Sequence, residues 1–191
     1  LRKGLLHRPD ELFRSTLLSV SFYFPLQAET ACENAMLPYL LAGQSPSYPD
    51  FSTLNRKLDM LYGAALSVGT EKLGDFCEVN LKINAIGDQY AHGVQSVAEA
   101  AAFLRDLIFE RFEADYGFQP EEIAREKRLL KEAIAGEINE KRRLALSCCI
   151  EAMCQGEPFG LPRLGEKKQV AAIEPRTLYD HYQKILRESP V

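Results

Sequence analysis

The sequence has no tryptophan, and only three histidines and five cysteines among its 191 residues. His7, His92 and His181 are scattered, with no carboxylate at ligand spacing, so each reads as an exposed or hydrogen-bonded histidine rather than part of a metal centre. Cys148, Cys149 and Cys154 fall on one helical stretch, and no second cluster completes a zinc tetrad. They read as core thiols. An odd cysteine count argues against a disulfide framework and for the reduced thiols of a cytoplasmic chain. A glycine-rich phosphate loop is missing, as is any apolar run near the roughly 18 residues of a membrane span. Basic excess is missing too. The net charge of −4 argues against nucleic acid or an anionic membrane as partner. Lys141-Arg142-Arg143, the one compact basic run, sits beside Glu137 and Glu140 and reads as a solvated helix face.

What is present fits a globular domain: 46% of residues are apolar and 26% charged. Residues 14–24 (RSTLLSVSFYF) are rich in Val, Tyr and Phe and predict a strand that ends at Pro25. Residues 29–42 predict a helix with Ala31, Ala35, Leu37, Leu40 and Leu41 on its apolar face. Pro38 inside that helix removes the partner of the Asn34 carbonyl, which predicts a kink or fraying at a cost of ~3 kcal/mol. A Pro/Ser loop follows over 44–50, and Asp50 or Ser52 caps a second helix that ends near Gly63. Residues 64–70 and 76–86 predict a hairpin. Its second strand alternates Cys77, Val79, Leu81, Ile83 and Ala85 against polar neighbours, the clearest period-two pattern in the chain.

Residues 94–111 predict a helix through Val94, Val97, Ala101, Leu104, Leu107 and Ile108. Pro120 opens a long helix to about Cys154, with Ile123, Leu130, Ile134, Ile138, Ala145, Cys149 and Met153 inward and a bend at Gly136. Pro175 opens a last helix. Strands without alternating crossovers beside a majority of helix predict an α+β class, an antiparallel-rich sheet packed by helices.

The stretch 34–64, NAMLPYLLAGQSPSYPDFSTLNRKLDMLYGA, carries more specific information. Aligned on Gly43 and Gly63-Ala64, it resembles the metal-site helix of the pitrilysin/insulinase-type zinc metallopeptidases, whose motif is H-x-x-E-H. The order of the remaining elements, Glu126-Lys127 after FQPEEI, and the run EPFGLPRLGEKKQVAAIEPRTLYDHY (157–182) are similar to that family as well. The resemblance implies a metallopeptidase-repeat sandwich over residues 1–191, one domain lacking its last strand and helix.

The resemblance also implies a zinc cofactor, and here the chain departs from the family. Its three motif positions are Asn34, Leu37 and Pro38. Two imidazoles one turn apart would hold zinc, and the carboxylate between them would activate water. Leucine and proline side chains carry no lone pair, and asparagine is a poor zinc ligand. The family's third ligand, a Glu seven residues after another Glu, falls on Ala133, with Glu126 at the earlier position. Glu132 lies one residue away, about 100° around the helix. Glu126 and Glu132 are therefore weak metal candidates, as is the pair Glu29 and Glu33.

The resemblance implies a catalytically inactive subunit that pairs with an active H-x-x-E-H homologue, or that self-associates. It further implies an edge strand over Ala64, Ala65, Leu66, Ser67, Val68, Gly69 and Thr70 that takes up extended peptides. The alternatives are an active zinc peptidase with non-standard ligands and a homodimeric peptide-binding scaffold.

Overall fold

The computed structural model describes residues 4–10, 12–113 and 115–189. Three strands form one antiparallel sheet: β1 (Ser15–Pro25), β2 (Ala65–Leu73) and β3 (Phe76–Ile86), in the spatial order β1-β3-β2. The mixed α+β class with an antiparallel sheet is the one that the sequence predicts. β3 is central and pairs along most of its length with β1 on one side and β2 on the other. Val20 and Val68 flank Leu81 on either side, and Leu18 and Leu66 flank Ile83. The period of two puts Cys77, Val79, Leu81, Ile83 and Ala85 on the buried face, each at 2% exposure or less. Leu17, one residue out of that phase, is exposed.

The helices α1 (Ala31–Gly43), α2 (Phe51–Met60) and α3 (Ser96–Phe109) are followed by α4 (Pro120–Gly136), α5 (Lys141–Met153), α6 (Lys167–Ala172) and α7 (Pro175–Glu188). α1 occupies the centre. It touches β2, β3, α3, α4, α6 and α7. The single apolar face expected of it is too narrow a description. Cys32, Asn34, Met36 and Pro38 are buried alongside Ala31, Ala35, Leu37, Leu40 and Leu41. A helix apolar around most of its circumference can only sit inside. Fully burying a side chain such as Leu37 or Met36 contributes about 1.5–3 kcal/mol.

Of the two expected caps, Asp50 and Ser52, α2 uses Asp50: its carboxylate accepts from the Thr53 amide at 2.7 Å, and Thr53 answers with its hydroxyl. It ends where the Leu58 carbonyl takes the amides of Gly63 and Ala64. The chain turns there through positive φ at Tyr62 (58°) and Gly63 (70°). α3 buries Ala100, Phe103, Leu104, Leu107 and Ile108, and Ala101 of the expected face is exposed.

The long helix expected from Pro120 to about Cys154 is two helices. α4 stops at Gly136, a 3-10 turn covers Glu137–Asn139, and Glu140 leaves helical geometry (φ −93°, ψ 72°) before α5 starts. Glycine holds a helix more weakly than any residue but proline, so the break falls beside it. α5 then leaves the core: it buries no residue. Ile138 and Met153, expected inward, are 67% and 77% exposed, and Ala145 and Cys149 are exposed too. Cys148 is likewise exposed and Cys154 half-buried, which corrects their reading as core thiols. Among the described residues no helix is long and apolar enough to cross a membrane.

Candidate functional site

The three motif positions stand together on α1, deep in the core, and each is spoken for. Leu37 is an ordinary core side chain at 1% exposure. Pro38 lacks the amide proton that would close a helical bond to the Asn34 carbonyl. The helix nevertheless runs unbroken, because Thr70 on β2 supplies the missing donor. Its Oγ1 donates to the Asn34 carbonyl at 2.8 Å, within the buried interior. The fraying expected beyond Pro38 does not occur: α1 runs on to Gly43.

The side chain of Asn34 is as fully engaged as its carbonyl. Its Nδ2 donates to Thr30 Oγ1 at 3.3 Å, and its Oδ1 accepts from His181 Nε2 at 2.5 Å. His181 comes from α7, 147 residues along the chain, and Phe24 meets its ring edge-on at 6.0 Å. Glu33 Oε2 lies 4.0 Å from His181 Nδ1. Burial, with a smaller push from Lys184, lowers the His181 pKa to about 4. The imidazole at neutral pH is therefore uncharged and donates through Nε2. Burial also raises the Glu33 carboxyl above its usual range, opposed by a hydrogen bond with Thr177.

Zinc does not fit this donor set. Leu37, Pro38 and Ala133 offer no lone pair, and the one side-chain oxygen at the turn, Asn34 Oδ1, is occupied by His181. The weak alternatives are separated. Glu126 is buried on α4 and holds Arg125, whereas Glu132 is a solvated partner of Arg128 at 3.0 Å. Glu29 is exposed and precedes α1, while Glu33 faces α7. His7 and His92 are exposed. Among the described residues no group of three or more His, Cys, Asp or Glu is placed to hold a metal ion. Lys141, Arg142 and Arg143 are exposed on α5.

The edge strand is placed as β2, which among the described residues pairs with β3 alone. Its second half is not bare. Arg163 donates to the Thr70 carbonyl at 3.2 Å. Lys72 Nζ donates to the carbonyls of Phe159 (2.7 Å) and Leu161 (3.0 Å) and lies over the Phe159 ring. The loop between α5 and α6 thus runs beside the end of β2. The open edge is shorter than the sequence suggests, from Ala65 through Leu66, Ser67 and Val68 to Gly69. Ala64 is buried before the strand starts. A side-chain carbon at Gly69 would meet nothing within 4 Å.

Arg163 also lines a half-open cavity of about 460 Å3 between α1 and the α4–α5 junction. Met36, Tyr39, Leu129, Leu130 and Ala133 form its apolar wall, and Glu126, Glu137, Glu140 and Arg143 supply charge. Asn34, Leu37 and Pro38 take no part in the wall. No pattern in the sequence marks this cavity, because its residues are spread over four separate segments. The one usable signal at the turn itself was Thr70, an inward-phase hydroxyl on the strand beside a proline-freed carbonyl.

No family model matches the chain. It is similar to a Bacillus subtilis (strain 168) protein named "Probable inactive metalloprotease YmfF", with 27% identity over 179 residues. That match covers 93% of this chain and 42% of the relative. A conserved protein of Enterococcus faecalis V583 has a similar structure, with TM-score 0.85 and 29% identity over 95% of this chain and 43% of the other. A peptidase M16 inactive domain from Pseudomonas fluorescens shares the fold at TM-score 0.61 and 13% identity, covering 87% of this chain and 37% of that one. Pitrilysin shares it at TM-score 0.55 and 15% identity, over 92% of this chain and 18% of pitrilysin. The chain is thus similar to a protein named a probable inactive metalloprotease and has the M16 peptidase-like fold, as the motif frame implies. It spans less than half the length of the curated relative it matches.

Proposed function

We propose that this chain is a catalytically silent, pitrilysin-like building block. It pairs with a homologue carrying an intact H-x-x-E-H and helps to enclose extended peptides. The observation that carries this reading is the double engagement of Asn34. Its carbonyl is held by Thr70 and its side-chain oxygen by His181, so the turn that would hold zinc joins α1 to β2 and α7 instead. A fold kept intact while its chemistry is replaced by packing suits a structural partner. The name of the Bacillus subtilis relative points the same way.

In this reading the peptide lies along the open edge of β2, where main-chain hydrogen bonds give affinity without chemistry. The strand is short, so the edge holds a few residues rather than a long segment. The exposed, core-free α5 offers further surface to the partner.

The test is co-expression of the intact protein with a candidate H-x-x-E-H homologue, followed by sizing and peptide-cleavage assays on each chain and on the pair. A stable one-to-one complex whose cleavage exceeds that of the homologue alone supports the reading. Zinc-dependent cleavage by the chain carrying Asn34 alone contradicts it. A self-paired protein that ignores the homologue favours a homodimeric peptide-binding scaffold.

A further inference from the structure

We infer that the cavity between α1 and the α4–α5 junction is a subsite for a basic side chain, lysine or arginine, of a peptide lying on β2. This deepens the peptide-holding reading above and rests on it.

Three observations meet at this cavity. The first is position: Arg163 lines the cavity and also donates to the Thr70 carbonyl, so one side chain joins the cavity to the end of the free edge of β2. The second is the buried carboxylate of Glu126, 6% exposed in an otherwise apolar wall. The hydrogen bonds it receives, both from Arg125, fall on Oε1 (3.2 and 3.0 Å). Arg125 is shared with Glu122 at 2.6 Å, so two carboxylates and one guanidinium leave this group with one net negative charge. The third is the rim, which Glu137, Glu140, Arg143 and Arg163 line together. Two carboxylates and two guanidiniums leave the rim with no net charge, so the sign of the cavity is set by Glu126 and its neighbours.

Lysine and arginine match this arrangement in shape as well as charge. Their methylene stems cover apolar surface while the head group seeks a carboxylate. Met36, Tyr39, Leu129 and Leu130 would line the stem, and Glu126 would receive the head in a charge-assisted hydrogen bond. The cavity, at about 460 Å3, lies within the size range of small-molecule pockets. An acidic side chain would meet the Glu126 carboxylate in a poorly hydrated place and be rejected.

The experiment uses the intact protein and two kinds of probe. In the first arm, labelled extended peptides differ at one position only, lysine against norleucine, and binding is read by fluorescence anisotropy. The lysine peptide is expected to bind tighter by about tenfold or more. Glu126→Gln should erase that preference, bringing the lysine and norleucine peptides to equal affinity. Since Glu126 is buried, the rim double variant Glu137→Gln/Glu140→Gln serves as a second check and should weaken the lysine peptide alone. In the second arm, pentylguanidinium and the neutral pentylurea are titrated against the Met36 methyl resonance. A saturable shift with the cation alone, lost in Glu126→Gln, supports the subsite independently of the strand edge. Equal binding of lysine and norleucine peptides overturns the subsite and leaves the edge reading standing. Failure of every peptide, with the cation still shifting Met36, overturns the edge reading and the peptide-borne occupant together. No shift with pentylguanidinium overturns the cavity as a cation site whatever the peptides do.

Discussion

Thr70 Oγ1 donates to the Asn34 carbonyl at 2.8 Å, in the place of the amide proton that Pro38 lacks. A strand residue thus completes a helix 36 positions away in sequence, and the bond fixes α1 against β2 beside the edge proposed to hold peptide. Thr70→Val keeps the shape and removes the donor, leaving a buried carbonyl unsatisfied at a cost of about 1–3 kcal/mol. Pro38→Ala restores a helical N–H to that carbonyl, so Thr70→Val should cost less in its presence. Urea unfolding of the four proteins in the cycle measures the coupling. Additive effects of the two substitutions would show that Thr70 does not stand in for the missing amide.

Acid should loosen the same joint. His181 titrates near 6.5 when unfolded and at about 4 when folded. Between those values the unfolded chain binds the extra proton, so stability is complete above pH 6.5 and falls as pH drops towards 4. The His181 contribution to that loss is on the order of 3 kcal/mol. Glu33 acts in the opposite sense. Its carboxyl is raised by burial, so its protonation on acidification relieves a cost and offsets part of the loss. His181→Gln keeps a donor for Asn34 and has no proton to gain. Denaturant midpoints at pH 7.5 and 5.0 should therefore diverge in the parent and converge in the variant. A parent whose midpoint is flat across this window would contradict the buried neutral imidazole.

Thiol chemistry reports on α5. Cys148 and Cys149 are exposed, while Cys32 and Cys77 are buried and burial pushes the Cys77 thiol up to about 12. A disulfide-exchange reagent should modify Cys148 and Cys149 rapidly in the folded protein and reach Cys32 and Cys77 only on unfolding. Peptide mapping after a short pulse identifies them. Protection of Cys148 and Cys149 in the free chain would place α5 back against a core. Protection appearing only with a partner present would mark α5 as part of the joint surface.

Much of the architecture was legible because it rests on local repeats. The strict alternation through Cys77–Ala85, the Asp50 cap and the Gly63 stop each announce themselves within a few residues. The α4–α5 break was not legible to the same degree. Residues 120–154 all tolerate helix, and Gly136 signals weakness without stating that the chain turns away from the core. Ile138 and Met153 follow the right period yet face outward, since periodicity describes a face and not what covers it. At the site, the loss of donors at Asn34, Leu37 and Pro38 was plain from residue type. Their replacement was not, because His181 reaches Asn34 from 147 residues away and carries no neighbouring motif.

The most direct measurement is the imidazole nitrogen chemical shifts of His181 in the intact protein, recorded with and without excess zinc at neutral pH. A protonated Nε2 donor and an unprotonated Nδ1, both unmoved by the metal, are the predicted result. Zinc-induced displacement of either nitrogen, abolished by Asn34→Ala, would mean that this turn binds metal after all and that its role as a packing joint is wrong.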